Sequence, residues 1–359
     1  MVIKIAPRNL PSLPWQILSP LLALLATIIT GFLLFIYLGQ PPVMALTTLF
    51  ITPISSLYGI TEIAIKAAPI LLISVGLSVC FTAQIWNIGA EGQFTIGAIF
   101  ASGIALIFSQ WNNYFLLLFC LLSGILGGMV WATIPALCKI KANANEILTS
   151  LMLNYVAISL LNYLVREPLK DPNAFNFPES ATFSPFATLQ PLIIGTRLHL
   201  GVIFAAIAAI MVWFLLKYSF FGFTVRVVGA SQKAADYAGI NRDRVIWLSF
   251  LISGGLAGLA GACEVLGLIG QLRPVISPGY GYAAIMAAFI ARLHPLGMIL
   301  SSLLMALLYV GSELLQIKLG FPLALAGVFQ GILLFFLLAT NLLIDNFVTI
   351  GKTSKNNPN

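Results

Sequence analysis

The chain has 359 residues, of which 60% are hydrophobic and only 8% are charged, and its mean hydropathy is +1.01. So much apolar surface cannot be buried in one soluble core, and such a composition is typical of membrane helices of about 20 residues. The net charge of +7 comes from basic residues scattered between apolar runs rather than from one patch, which argues against nucleic-acid binding. The composition predicts a polytopic membrane protein.

Hydropathy predicts about ten membrane spans, and therefore an all-α helix bundle that forms a single transmembrane domain over residues 1–359. The spans lie near 15–38, 65–83, 92–109, 114–137, 147–165, 199–216, 245–270, 280–291, 295–316 and 322–343. The first is too long for a signal peptide, so we expect it to be an uncleaved span. The segment 280–291 would rise only about 18 Å as a helix, which predicts one or two broken or re-entrant elements.

The distribution of Lys and Arg predicts the orientation of the chain. With a cytoplasmic N-terminus and ten crossings, the cytoplasmic side receives twelve of the 18 basic residues. The outside keeps Lys66, Arg166, Lys170, Arg197, Arg273 and Lys318. The excess of positive charge inside supports this topology. Both termini are then cytoplasmic, and the loop 166–198 is extracytoplasmic, where it is either a partner-binding loop or an ordered connector.

Two glycine-bearing stretches interrupt the spans. The first reads NIGAEGQ over 87–93, and the second reads SPGYGY over 277–282. A broken helix is tolerated at membrane depth only where its freed backbone groups are buried in protein or line a watery cavity. Both stretches are therefore candidates for the solute route.

The acidic and amide side chains near the spans could have either a structural role or a role in transport. Glu91 and Glu146 lie near the predicted cytoplasmic span ends, where a structural contact is at least as plausible as transport chemistry. Glu264 and Glu313 lie deeper, but no ladder of Asp, Glu and His accompanies them, so proton coupling is weakly supported. Asn154 either joins helices or contacts a polar solute, and the residues leave both roles open.

The segment SGGLAGLAGA, Ser253–Ala262, predicts close helix packing. Gly254 and Gly258 are four residues apart, and Gly261 follows one turn later. Small residues at this spacing let a second backbone approach one helix face. A phosphate-binding role is disfavoured, because no strand precedes these glycines.

The longest polar interruption is the segment 217–244. It carries seven of the 29 charged residues, the sum of 18 basic and 11 acidic side chains. A mixed-charge loop of this length between apolar spans can make charge-assisted contacts with a partner. The predicted topology places this loop in the cytoplasm.

Several chemical activities are excluded or disfavoured by the residues present. The four cysteines are far apart and form no CxxC pair, and two histidines alone cannot build a metal centre. The run Gly351, Lys352, Thr353 resembles the end of a phosphate-binding loop, but Asn346 stands where the motif needs its first glycine. No catalytic motif with a plausible context is present, so we predict no enzyme, no metal and no cofactor bound by this chain.

Five segments in consistent order resemble one known family. They are FTAQIWNIGAEGQFTIGA (81–98), NEILTSLMLNYVA (145–157), GFTVRVVGASQKAADYAGI (222–240), SGGLAGLAGACEVLG (253–267) and ISPGYGYAAIMAAFIARLHPLGM (276–298). They are similar to the permease subunits of bacterial ABC importers of the branched-chain amino acid and simple-sugar class, nearest to the nucleoside and simple-sugar branch. The chain departs from the family pattern at Ser231, Gln232 and Ala291.

The resemblance implies an inner-membrane permease that works by alternating access on a small polar solute. Its implied partners are ABC ATPase subunits that bind the ATP, a second related permease or a copy of itself, and an extracytoplasmic substrate-binding protein. It assigns ATPase coupling to the 217–244 loop, and within it to Gly222, Arg226, Gly229, Lys233, Ala234, Asp236, Gly239 and Ile240. We expect the solute path to be bordered by Asn87, Glu91, Gln93, Asn154 and Tyr155. The alternative is an ion-coupled secondary transporter, which would favour repeated halves that the sequence lacks.

Overall fold

The computed structural model describes residues 2–7, 13–173 and 177–351, with side chains over 18–173 and 177–340. The elements, in chain order, are β1 Val2–Pro7, α1 Leu13–Tyr37, α2 Pro42–Phe50, α3 Leu57–Thr82, α4 Ala90–Ile107, α5 Phe115–Ala142, α6 Glu146–Arg166, α7 Gly201–Tyr218, α8 Phe220–Ala230, α9 Gln232–Tyr237, α10 Arg242–Cys263, α11 Tyr280–Ile290, α12 Gly297–Leu319, α13 Leu325–Asp345 and β2 Asn346–Gly351. Of the residues discussed above, Lys352 and Thr353 lie outside the described ranges.

The all-α fold class is confirmed, and every one of the ten predicted spans falls on a helix. Within the described ranges, eight helices are long and apolar enough to cross a bilayer: α1, α3, α4, α5, α6, α7, α10 with its continuation, and α12. The helices α11 and α13 are apolar but shorter. The chain is therefore a polytopic membrane helix bundle, to which β1 and β2 add a small antiparallel ribbon.

The start of α3 differs from the prediction. This helix begins at Leu57 rather than near residue 65, because the Ser56 hydroxyl accepts a hydrogen bond from the Gly59 N–H (3.1 Å) and caps the first turn. Lys66, which we had assigned to an outside loop, consequently lies inside the helix and is buried, as is Glu62. These polar residues lower the local hydropathy, so the hydropathy profile does not identify the first two turns of α3. The nine-residue α2 was also missed, since it is too short to give a span signal.

One compact unit comprises residues 1–53 and 311–359. In this unit α1 packs against α13, and the rings of Phe35 and Phe329 lie 5.9 Å apart. The Thr340 hydroxyl donates to the Ser19 carbonyl (3.2 Å) across the same pair of helices. The strands β1 and β2 pair with Val2 opposite Gly351, so these two ends of the described chain lie on the same side of the unit.

The second compact unit comprises residues 54–310, and α10 lies at its centre against α3, α4 and α5. A Cβ atom added to Gly258 of α10 would lie 3.0 Å from the Cα of Gly128 on α5, and Gly254 meets the carbonyl of the same Gly128. Gly261 faces the Phe94 carbonyl of α4. The backbones of α10 and its neighbours are therefore in direct contact at the glycines of the SGGLAGLAGA segment. A single domain over 1–359 stays a prediction.

Candidate functional site

The two interrupted stretches meet in the structure. Residues 83–89 connect α3 to α4, and residues 270–279 connect the end of α10 to α11. The Glu91 carboxylate, in the first turn of α4, accepts a hydrogen bond from the Gly281 N–H (2.6 Å), in the first turn of α11. A Cβ on Gly281 would lie 2.6 Å from the Glu91 nitrogen, so only glycine permits this approach. The starts of two broken helices are thus joined inside the protein.

A pair of buried amides stabilises the first of these breaks. The Asn87 and Gln93 side chains bond to each other twice, at 3.1 and 3.2 Å. The Asn87 amide also donates to the Ser253 hydroxyl of α10 (3.0 Å), and neither Asn87 nor Gln93 is exposed by more than 1%. The break is therefore tied to the central helix by hydrogen bonds within the protein, as burial of polar groups requires.

Asn154 of α6 joins both breaks. Its side-chain oxygen accepts from the Gly92 N–H (2.8 Å), and its NH₂ group donates to the Ile88 carbonyl (2.9 Å) and to the Tyr282 hydroxyl (3.3 Å). Backbone groups freed by the break thus find partners on a neighbouring helix, which is the condition for irregular backbone at membrane depth.

Of the five residues expected along the solute path, four lie together in this cluster: Asn87, Glu91, Gln93 and Asn154. The fifth, Tyr155, is 60% exposed. Sequence reasoning named Gly281 and Tyr282 only as part of the interrupted stretch 277–282, and it assigned Ser253 only to the helix-packing segment. Both interrupted stretches were visible in the sequence, but nothing in it showed that they touch.

The 217–244 loop folds into two short helices, α8 and α9. The Ser219 hydroxyl accepts from the Gly222 N–H (2.9 Å) and caps α8, and the Ser231 hydroxyl accepts from the Ala234 N–H (3.3 Å) and caps α9. Ser231 was noted above as a departure from the family pattern. Here it begins a helix by itself, since serine is a favoured N-cap residue.

The helix α8 is packed tightly onto the ends of two spans. Gly222 lies against the last carbonyls of α7, and Gly229 lies against the Thr82 carbonyl of α3, with no room for a side chain at either position. The Arg226 guanidinium donates to the Leu216 carbonyl of α7. A displacement of α8 would therefore also displace the ends of α3 and α7.

The helix α9 faces outward. Among the predicted coupling residues, Lys233, Ala234, Asp236 and Gly239 are exposed on it or directly after it. Tyr237 is 95% exposed, which is unusual for an aromatic side chain. Sequence reasoning missed this residue. A cavity of about 420 Å³ lies next to α9, lined by Phe220, Thr224, Ile240 and Leu248 among others.

The loop 166–198 lies at the opposite end of α3 from α8. The Arg197 guanidinium binds the buried Glu62 carboxylate through two contacts, one of 2.9 Å from Nε, and this hydrogen bonding raises the pKa of Arg197. Further along, the N–H groups of Ser180 and Phe183 donate to the Leu272 and Gly270 carbonyls (3.0 and 2.9 Å). The loop therefore rests on the break that leads into α11.

His199 is buried at this end of the bundle. Its Nδ1 accepts a hydrogen bond from the Gly201 N–H (3.2 Å), and its Nε2 has no partner among the described residues. Burial lowers the pKa of His199 to about 4, so the ring is neutral near pH 7. No group of three or more metal-ligating side chains occurs within the described part of the chain.

A membrane helix bundle with two broken helices joined at its interior, and a helical loop packed on the ends of its spans, defines a transport component of the membrane. The chain belongs to the family described as branched-chain amino acid transport system, permease component, whose model matches residues 59–338. It is a permease subunit of an ABC importer and a multi-pass inner-membrane protein rather than an enzyme. Permeases of this family work with an ATPase and with a substrate-binding protein.

Three curated relatives cover most of the chain. A glucose ABC transporter permease of Haloferax volcanii is 33% identical over 90% of this chain and 87% of its own. A guanosine ABC transporter permease of Bacillus subtilis is 30% identical over 89% of this chain and 92% of its own. A nucleoside ABC transporter permease of Lactococcus lactis is 24% identical over 95% of both chains. No solved structure matches.

Proposed function

We propose that the chain translocates a nucleoside or a sugar-like solute. The observation that carries the proposal is that two relatives with at least 30% identity are named for glucose and guanosine. Both solutes contain a polyhydroxylated sugar ring, so permeases of the same architecture could translocate either of them.

Solute uptake tests this proposal directly. Membrane vesicles that contain the chain with its ATPase and substrate-binding partners should accumulate labelled guanosine or glucose when ATP is supplied. Labelled leucine is the comparison, because the family description names branched-chain amino acids. Leucine uptake without uptake of either other solute would contradict the proposed solute class.

The energy enters, in this proposal, through α8 and α9. ATP bound and hydrolysed on the partner ATPase moves that subunit against α9, whose Lys233, Asp236 and Tyr237 side chains are exposed and can contact it. The cavity of about 420 Å³ beside α9 can receive an apolar side chain of the partner. Because Gly222 and Gly229 hold α8 against α7 and α3, the displacement passes to these spans.

The solute route is proposed to run beside the cluster where the two breaks meet. Asn87, Gln93 and Asn154 hydrogen-bond within the protein, so their role would be to hold the broken helices in position. The exposed ring of Tyr155 and the half-buried Tyr282, which bonds to Asn154, can offer contacts to a sugar or a base. Glu91 borders the same route.

The proposed topology places both termini and the α8–α9 loop in the cytoplasm and the 166–198 loop outside. In support, the two loops lie at opposite ends of the 26-residue α3, and the paired strands β1 and β2 keep the described ends together. A second permease, either related or identical, completes the proposed assembly, and the 166–198 loop is available for the extracytoplasmic substrate-binding protein.

A further inference from the structure

A basic cavity of about 700 Å³ lies at the end of the bundle that carries α8. The ends of α3 and α7, the helix α8 and the turn between α11 and α12 form its walls. Its polar and aromatic lining residues include Gln84, Trp213, Lys217, Arg226, Arg292 and His294, and no acidic residue lines it. The cavity therefore concentrates positive charge.

These charges are not neutralised within the described part of the chain. Glu146, Glu62 and Glu179 pair instead with Lys139, Arg197 and Arg273. The Lys217 ammonium lies 5.1 Å from the ring centre of Trp213, which fixes the side chain but leaves its charge uncompensated. Three cations around an open cavity without a counterion would bind an anion.

The backbone of the cavity is unusual. Only four non-glycine residues of the described chain have positive φ angles, and Gln84 (58°), Arg292 (51°) and Leu293 (59°) all line this cavity. The turn that carries Arg292 is closed by a hydrogen bond from the His294 N–H to the Ala291 carbonyl (3.0 Å). Such conformations are unfavourable for residues with a Cβ, and they cluster at ligand sites.

The position of the cavity favours a lipid as its ligand. It lies at the last turn of α7, a candidate membrane span whose Met211 and Phe214 side chains are 65% and 60% exposed. Trp213 and Tyr218 flank Lys217 at this level, as aromatic residues do at a membrane interface. A headgroup in the cavity could thus leave its acyl chains along the apolar face of α7.

We propose that this cavity binds the phosphodiester headgroup of an anionic phospholipid. Lys217 and Arg292 contact the phosphate, and the acyl chains lie along α7. Arg226 closes the cavity, but its guanidinium is already engaged by the Leu216 carbonyl, so it contributes charge rather than a direct contact.

The test is a binding titration of the purified full-length chain in an uncharged detergent. The probe is a fluorescent short-chain phosphatidylglycerol, and phosphatidylcholine with the same chains is the comparison. We expect phosphatidylglycerol to bind more tightly, and each of Lys217→Gln and Arg292→Gln to weaken it about fivefold, since each removes one basic contact with an anionic lipid. Lys141→Gln is the matched control, because it removes one exposed charge from the C-terminal end of α5, outside the cavity.

Two further measurements keep the proposal testable if a variant folds poorly. Arg292→Lys keeps the charge and should bind nearly as well as the unaltered chain, and added salt should weaken binding to the unaltered chain. Equal affinity for the two lipids, an equal loss in Lys141→Gln, or salt-independent binding would overturn the proposal. Displacement of phosphatidylglycerol by millimolar inorganic phosphate would assign the cavity to a free phosphate. Displacement by the ATPase partner would assign it to a protein interface.

Discussion

The carboxylate of Glu91 accepts a hydrogen bond of 2.6 Å from the backbone N–H of Gly281, although 190 residues separate the two in the chain. This contact joins the first turn of α4 to the first turn of α11, and so holds together the two helices that the interrupted stretches create. Together with Asn154, which also bonds to both breaks, this side chain sets the arrangement of the site.

Replacing Glu91 by alanine should destabilise the protein. The Gly281 N–H would remain buried without an acceptor, which costs about 1–3 kcal/mol. Glu91→Gln retains an acceptor oxygen at the same distance and should recover most of the loss. Chemical denaturation of the purified protein in detergent measures both variants. If Glu91→Gln is as destabilising as Glu91→Ala, the hydrogen bond to Gly281 is not the reason for the effect.

Replacing Gly258 by alanine should separate α10 from α5. A Cβ at this position would lie 3.0 Å from both the Cα and the nitrogen of Gly128, atoms that cannot turn aside, and overpacking of this kind costs about 1–3 kcal/mol. Gly103→Ala is the matched control, since nothing lies within 4 Å of an added Cβ there. The control should be neutral or slightly stabilising in the same unfolding experiment. Equal destabilisation of both variants would contradict close packing as the cause.

Replacing Tyr237 by alanine should uncouple ATP hydrolysis from transport without unfolding the permease. The side chain is 95% exposed, so its loss should change stability by less than about 0.5 kcal/mol. Exposed aromatic side chains are frequent anchors of protein interfaces, and we expect at least a tenfold loss of solute-stimulated ATPase activity, on the order of the energy of one such anchor. Tyr37→Ala, at a residue 86% exposed on α1, is the control and should retain coupling. Retained coupling in Tyr237→Ala would remove α9 from the proposed docking surface.

Acidification should destabilise the protein through His199. Its pKa is about 4 when buried and about 6.5 when unfolded, so between these values only the unfolded chain binds the proton. Stability is complete above pH 6.5 and falls as the pH is lowered towards 4, by about 2 kcal/mol at pH 5. Thermal unfolding measured from pH 7.5 to pH 5 should follow this curve, and His199→Gln should flatten it. An unchanged pH profile in the variant would show that other groups are responsible.

Much of the fold could be predicted from the sequence, because a run of about 20 apolar residues identifies a membrane helix by itself. The same reliance on hydropathy caused the start of α3 to be missed, since Glu62 and Lys66 lower the hydropathy of its first turns. The Glu62 carboxylate is paired with Arg197, 135 residues away, and a hydropathy window of about 20 residues cannot contain such a partner.

The candidate site was predictable only in pieces. The stretches 87–93 and 277–282 were recognisable as breaks, but their contact through Glu91 and Gly281 is a property of the packed bundle. Tyr237 was missed because its unusual property is its exposure, which only the folded chain shows. Ser231 was read as a departure from a family pattern, whereas its hydroxyl begins α9 as an N-cap.

The direct backbone contact of α5 and α10 restricts how the bundle can move. Gly128 lies against Gly254 and Gly258 with no layer of side chains between the helices, so there are no rotamers that could adjust to sliding. The pair would behave as a rigid spine during a transport cycle. Bending is left to the non-helical segments 83–89 and 270–279, which flank the spine and change direction through the left-handed residues Gln84, Gly270 and Gly279.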